Sequence, residues 1–365
     1  MICVIGSFPS EHNQKDGMIQ RVAHIDALMA STPRCYLDLS FRRFLRKQVR
    51  IEGAATIYYL NVFVHFLLIL RLLRTARVVY VHSAYNALRI MAFPTKAYMI
   101  FDAHGIVPEE LIAEGRSRAA RILTAAERFI LKRCDALICV THSMLEHFYR
   151  KRGRRTDRAE IVLPILPHLG DSTTAAQALL AKRISETVIY AGGMQAWQNV
   201  DKMVNAANRQ PRFHYTFLTG DVTNFQTRLR ESGLKQFTCQ SVAPVQVKDF
   251  YLSHQYGFVL RDEILVNLVA CPTKLVEYLY WGVLPIVITP RIGDFDAESL
   301  HGITLAQFLN GELPDTETAE AMRRHNQVTV QAMIGSAQAN QDRLQQLLHA
   351  PGKRTPATRQ ISSHE

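Results

Sequence analysis

Several features that would decide the class of this protein at once are missing from its sequence. Its six cysteines form no C-x-x-C pair. Cys3, Cys35, Cys134, Cys139, Cys239 and Cys271 are scattered, most of them in apolar runs. That usage fits small buried thiols in a reducing compartment rather than disulfides or a zinc site. No apolar run approaches the ~20 residues of a membrane span. The most apolar stretch, 62–73, is broken by His65 and Arg71. The apolar start, Met1 to Gly6, is too short for a secretory leader and lacks a basic flank. It is expected to be a buried first strand. No period of 20–50 residues recurs, which excludes a solenoid. Neither G-x-G-x-x-G nor G-x-S-x-G occurs, so the dinucleotide fingerprint and the hydrolase elbow are both absent.

What is present is ordinary globular composition. The 365 residues are 48% hydrophobic and 21% charged, which excludes a disordered, collagen-like or mucin-like chain. The length suggests about two domains. The formal net charge of +11 is unevenly spread. Residues 1–168 hold 25 Lys and Arg against 14 Asp and Glu, whereas 169–365 hold 18 of each. Two basic clusters stand out, Arg42-Arg43-Arg46-Lys47-Arg50 and Arg150-Lys151-Arg152-Arg154-Arg155-Arg158. Two readings fit a basic half: attraction to an anionic partner, or a solvated face that keeps the chain soluble. The 62–73 stretch likewise fits a buried helix or one that dips into a membrane surface.

Short apolar runs alternate with amphipathic ones. Strands are expected at 2–5, 35–39, 56–60, 78–81, 97–102, 136–140 and 160–163, with helices such as 19–29, 119–132 and 143–151 between them. Pro164, Pro167, Gly170 and the polar run 171–174 break the pattern, and 175–185 suits a short helix. The alternation then restarts. Strands are expected at 187–191, 214–218, 236–239, 256–260 and 284–288, and helices at 199–207, 225–231, 247–253 and 273–281. This is the pattern of two α/β domains in series with parallel sheets. Residues 315–348 read as one or two helices and 351–365 as a loose polar tail.

Ligands of open parallel sheets bind beyond the carboxyl ends of strands, which directs attention to the loops there. After the first strand, a polar run ends at Asp16-Gly17, where a glycine before a helix allows close approach to a phosphate or sugar. After 97–101 comes Asp102-Ala103-His104-Gly105. An imidazole at a strand end can bond a sugar hydroxyl or a leaving group. Gly192-Gly193 precede Gln198 and a helix. The densest segment is 257–294. A strand there ends in Arg261-Asp262, Asn267 follows on an expected loop, and Pro272-Thr273-Lys274 opens a helix. The free N–H groups of that first turn and the Lys274 ammonium make an anion site suited to a diphosphate. Glu277 lies one turn on and can accept from a ribose diol. The plainer alternative is a Lys274–Glu277 surface pair.

Tyr190-Ala191-Gly192-Gly193, Trp197-Gln198-Asn199-Val200-Asp201, Gly257-Phe258, Pro272-Thr273-Lys274-Leu275-Val276-Glu277 and Gly282-Val283-Leu284-Pro285-Ile286 resemble the donor half of family 4 glycosyltransferases. Asp102-Ala103-His104-Gly105 and Val140-Thr141-His142-Ser143-Met144 agree with the acceptor half. The resemblance runs over about residues 1–310. It implies the GT-B fold, an α/β architecture of two Rossmann-like domains whose parallel sheets face a cleft. Residues 1–168 would hold the acceptor, 169–185 would link, 186–310 would hold the nucleotide-sugar donor, and 311–350 would be C-terminal helices. It also implies retention of anomeric configuration, with no cofactor and no metal.

By this resemblance Glu277 takes the donor ribose, Lys274 a donor phosphate, and His104 is the cleft histidine near the donor sugar. Lys274, Arg261 and His104 are therefore the catalytic candidates. Gly192, Gly193, Gln198, Asp262, Asn267, Thr273 and Glu277 are the donor-binding ones, and Asp16 and Gly17 form a phosphate or acceptor loop. The sequence departs from the family where a second glutamate is usual, since Val269 stands eight residues before Glu277. It departs again in having Gln198 where a lysine is common.

The acceptor is expected to be a lipid-linked glycan of bacterial surface polysaccharide assembly. The protein would sit in the cytoplasm, held peripherally on the anionic inner face of the cell membrane by its basic half. Asp294-Phe295-Asp296 matches the D-x-D of metal-dependent transferases, and His142, Glu146 and His147 lie one residue off a zinc-protease spacing; both are set aside as chance patterns. Two rivals remain. A sugar-nucleotide epimerase or hydrolase on the same fold would act without acceptor. A non-catalytic binder would show salt-dependent nucleic-acid affinity, which no motif here supports.

Overall fold

The computed structural model describes residues 1–10, 17–166, 169 and 172–351, and they form two compact units. The first comprises Met1–Val140, Leu145–Leu163 and the chain from Ala339 onward; the second comprises Thr141–Met144 and Pro164–Gln338.

Runs such as Val78-Val79-Tyr80-Val81 are β-branched and apolar on both faces, as strands covered on both sides must be. The first unit contains β1 (Ile2–Ile5), β2 (Arg34–Ser40), β3 (Gln48–Glu52), β4 (Ala55–Asn61), β5 (Val78–His82), β6 (Tyr98–Ala103), β7 (Ala136–Cys139) and β8 (Ala159–Val162). They form one sheet in the order β3-β4-β2-β1-β5-β6-β7-β8. All neighbours are parallel except β3 with β4. The order reverses direction at β1, between β2 and β5. That reversal opens a crevice beyond the carboxyl ends of β1 and β5.

Two expectations need correction here. Strand β3 was not anticipated, because none of its residues is buried and its sequence carries no core-facing periodicity. Antiparallel pairing with β4 alone makes it a strand. The helix expected from residue 62 starts instead at Phe66 and runs to Thr75. The Asn61 side chain accepts from the backbone N–H of Phe63 and Val64 and closes a turn first. Ile69 and Leu73 face inward, while Phe66, Leu67 and Arg71 are exposed.

The second unit contains β9 (Thr187–Ala191), β10 (His214–Leu218), β11 (Phe237–Gln240), β12 (Tyr256–Val259), β13 (Leu284–Val287) and β14 (Ile303–Thr304). Their order is β11-β10-β9-β12-β13-β14, all parallel. Phe213, Tyr215, Phe217, Phe225, Phe258 and Phe308 pack its core. Its switch point lies between β9 and β12, so the loops after those two strands share one crevice mouth. Residues 316–349 form a single helix. Its last turns belong with the first unit, where Asn340 donates to the Val162 carbonyl and Arg77 to that of Leu348. All six cysteines are buried. No helix among the described residues is long and apolar enough to cross a membrane.

Candidate active site

In the second unit the switch point is lined with buried positive charge. The helix Thr273–Trp281 starts beside the loop after β9 and brings Lys274 inward. Lys274 is only 7% exposed. Its ammonium lies 3.9 Å from the centre of the Tyr190 ring and donates to Gln198 Oε1 at 3.1 Å. Burial pulls its pKa well down, and the nearby Arg261 charge adds to that. Gly192 is required at this point. A Cβ there would stand 2.8 Å from the Tyr190 hydroxyl and 3.5 Å from the Lys274 nitrogen.

Arg261 follows β12 and is 8% exposed. It donates to Asn267 Oδ1 at 3.0 Å, and Asn267 Nδ2 donates to the Asp262 carbonyl at 2.8 Å. Burial lowers the Arg261 pKa to about 10. Among the described residues neither cation has an ion-pair partner, and Arg261 Nε has no hydrogen-bond partner. A buried charge left in this way is costly unless an anion neutralises it. Glu277, one turn along the helix from Lys274, is half-buried and accepts from the Tyr251 hydroxyl at 2.9 Å. Burial raises its pKa to about 7.

In the first unit the carboxyl ends of β5 and β6 carry a different arrangement. Asp102 is fully buried and held by Arg21, which donates through Nε at 3.1 Å and Nη2 at 3.0 Å. The Tyr80 hydroxyl adds a third bond at 2.9 Å. Despite burial, the Arg21 charge keeps Asp102 well below the usual carboxylate range. His82 Nδ1 and His104 Nε2 lie 2.9 Å apart, each 3.4 Å from Asp102 Oδ2. Burial lowers the His82 pKa to about 4, so this ring is neutral at pH 7. Ser83 follows with φ +65°, a strained value for a non-glycine residue. His82 Nε2, Ser83 Oγ and His104 Nδ1 are buried without a partner among the described residues. The three ligand atoms of His82, Asp102 and His104 lie within 4.8 Å of one another. The Arg21 guanidinium already bonds the same carboxylate, so a further cation there would meet a positive charge at contact.

Residues 3–164 match the family model described as Glycosyltransferase Family 4. That match spans somewhat under half of the chain, and the chain as a whole has the GT-B fold. A sucrose-phosphate synthase from Thermosynechococcus elongatus shares the fold at 13% identity and TM-score 0.67, over 96% of this chain and 99% of its own. A UDP-forming trehalose-phosphate synthase from Burkholderia xenovorans, in complex with glucose-6-phosphate, does so at 11% identity and TM-score 0.62, over 96% and 100%. The E. coli trehalose-6-phosphate structure bound with UDP-2-fluoro glucose gives 11% identity and TM-score 0.60, over 94% and 97%. At such identity these are likenesses of fold. Comparison with curated proteins finds no match.

Of the expected site residues, Lys274, Gln198, Gly192 and Gly193 come together around the Tyr190 ring. The Tyr190 hydroxyl donates to the Gly193 carbonyl at 2.5 Å. Thr273 opens the Lys274 helix. Asn267 is not on a loop but in the short helix Leu265–Leu268, 1% exposed, where it orients Arg261. The Asp262 carboxylate is taken by Lys202 and by Asn199, a residue with φ +54°. It thus braces the glycine loop. Lys274 and Glu277 are not a surface pair, since Lys274 bonds Gln198 and Glu277 bonds Tyr251. Val269 is buried, and its carbonyl accepts from Thr141 at 2.6 Å. Gly17 opens the first helix, Gly17–Ala27, and Asp16 lies outside the described residues.

Asp294 caps the backbone N–H groups of His142 and Ser143, and Asp296 those of Glu298 and Ser299. The Asp294 carboxylate is therefore engaged at the start of the helix His142–Arg152 and that of Asp296 in a local turn. His147 Nε2 lies 3.3 Å from Glu109 Oε1. Sequence reasoning missed Arg21, Tyr80, His82, Tyr190 and Tyr251. Only His82 carried a signal, a polar residue at a strand end.

Proposed function

We propose that the transferase moves a sugar from a nucleoside-diphosphate donor held by its second unit to a lipid-linked glycan acceptor, with retention at the anomeric carbon. The observation that carries the donor assignment is the pair of buried cations, Lys274 and Arg261, which lack an anionic partner at a parallel-sheet switch point. A diphosphate supplies the missing charge. Glu277, polarised by Tyr251, suits the ribose diol. In transfer, the bond from the anomeric carbon to the diphosphate breaks and a bond to the acceptor oxygen forms. The departing phosphate oxygen takes the acceptor proton. Lys274 and Arg261 stabilise the charge that develops on the leaving group. In the first unit His104, held against His82 and Asp102, offers Nδ1 to a sugar hydroxyl. The family model's name and the resemblance support the reaction class. The basic first half supports an acceptor on the anionic cytoplasmic face of a membrane, within bacterial surface polysaccharide assembly.

A thermal-shift panel of UDP, GDP, ADP, CMP and their common sugars tests the donor site. A ligand at 100 times its Kd stabilises by ~2.7 kcal/mol. One nucleotide should shift the melting temperature, and Glu277→Ala should abolish the shift. No shift with any of them would remove the donor assignment.

A further inference from the structure

Exposed apolar side chains are concentrated in one part of the first unit. Of the 18 exposed large hydrophobic residues among those described, eight fall within residues 41–67. Leu45 is 65% exposed, Phe63 71% and Leu67 79%. The loop after β2 and the turn after β4 are bound together. Asn61 Nδ2 donates to the carbonyls of Phe41 and Arg43, and the Phe41 and Phe63 rings are 5.7 Å apart. Interleaved with these apolar groups are Arg42, Arg43, Arg46 and Lys47, all exposed and without an ion pair among the described residues. The second basic cluster differs. Lys151 pairs with Glu109 and Glu127, Arg155 with Asp157, and Arg158 with Glu160.

Topology places this surface usefully. β2, β4, β5 and β6 run parallel, so the loops after β2 and β4 lie on the same edge of the sheet as His82 and His104. β4 stands three strands from β5, or about 14 Å.

We propose that this face, built by residues 41–47 and 63–67, is where the transferase docks on an anionic bilayer. Apolar side chains enter the headgroup boundary while the arginines and Lys47 meet lipid phosphates. Docking would then bring the His104 edge of the first unit to the lipid surface. This deepens the reading of a lipid-linked acceptor and rests on it for its purpose, though not for its geometry. Charge decides between occupants. From Phe41 to Ile51 there are five cations and no acid, so two copies meeting face to face through this patch would repel. Exposed Leu45, Val64 and Leu67 suit the headgroup boundary and offer no face for base stacking, while the Phe41 and Phe63 rings pack on each other.

Flotation of the full chain with phosphatidylcholine vesicles, with and without 30% phosphatidylglycerol, tests the proposal. At 0.15 M salt the protein should float only with the anionic lipid. Leu45→Ser/Phe63→Ser/Leu67→Ser should abolish flotation. Arg42→Ala/Arg46→Ala/Lys47→Ala should lower the partition coefficient on the order of 100-fold. Both variants alter exposed residues, so the nucleotide-induced thermal shift should be unchanged in each. Absence of wild-type flotation, or flotation of both variants like wild type, overturns the surface. So does a dimer by light scattering that the apolar variant loses while nothing floats, or RNA binding without flotation. A nucleotide shift without flotation removes the surface alone. Flotation without a nucleotide shift keeps the surface and removes the donor assignment.

Discussion

The two units bury charge in opposite ways. In the first, Asp102 is enclosed by Arg21, Tyr80 and two histidines, and its negative charge is answered within the protein. In the second, Lys274 and Arg261 touch only neutral groups, Gln198, Asn267 and the face of Tyr190, and Glu277 acts on Lys274 through space without an ion pair. A self-compensated cluster contributes to the integrity of its unit and orients a ring, here His104. An uncompensated one costs stability and gains from whatever anion arrives. The proposed function takes the first as a positioning site and the second as a binding site, and the contrast in charge is what supports that division.

The largest effect should follow from breaking the compensation. Arg21→Leu leaves Asp102 buried and unpaired, which costs about 3–5 kcal/mol. Urea denaturation would read this as loss of the first unit's structure. A loss under about 1 kcal/mol would mean that Asp102 does not depend on Arg21.

Opposite pH slopes sharpen the comparison. His82 has its folded pKa lowered to about 4, below the ~6.5 of the unfolded chain. Its neutral form therefore contributes stability that is present above ~6.5 and is lost as pH falls through about 4, by ~3 kcal/mol at most. Glu277 has its folded pKa raised to about 7, above ~4.3 unfolded. Its protonated form contributes stability that is present below ~4.3 and is lost as pH rises through about 7, by a similar amount at most. The stability difference between wild type and His82→Gln should therefore become more favourable to wild type from pH 4 to 6.5. The difference from Glu277→Gln should become less favourable over pH 4.5 to 7. Parallel slopes would contradict the contrast.

The smallest effect is expected where the charge has no partner to lose. Lys274→Met removes a buried cation and keeps most of the volume, so stability should change by under ~1 kcal/mol or rise. Turnover should nevertheless fall by about 100-fold or more. A large destabilisation would show that Lys274 is compensated after all.

Most strands of both sheets were legible, because fully buried parallel strands are continuous apolar runs bounded by turn residues. Candidate residues at strand ends were legible for the same topological reason. β3 was not, since pairing without burial leaves no periodicity. Asn267 was misplaced onto a loop because the four-residue helix Leu265–Leu268 is too short to show a repeat. Arg21 and Asp102 are 81 residues apart, and nothing local links them. Tyr190 and Tyr251 carry no local mark of a site residue, because the ring face and hydroxyl meet Lys274 and Glu277 only in the folded chain.

By itself the sequence determined the α/β class, the two-unit organisation, the lopsided charge and the polar residues at the carboxyl ends of strands, because each follows from local pattern and composition. The tertiary structure decided which charges are answered and which are not. It also decided which apolar groups remain outside. Both depend on neighbours brought together from distant parts of the chain, and solvation of a charge or a ring is a property of that surrounding, not of the residue.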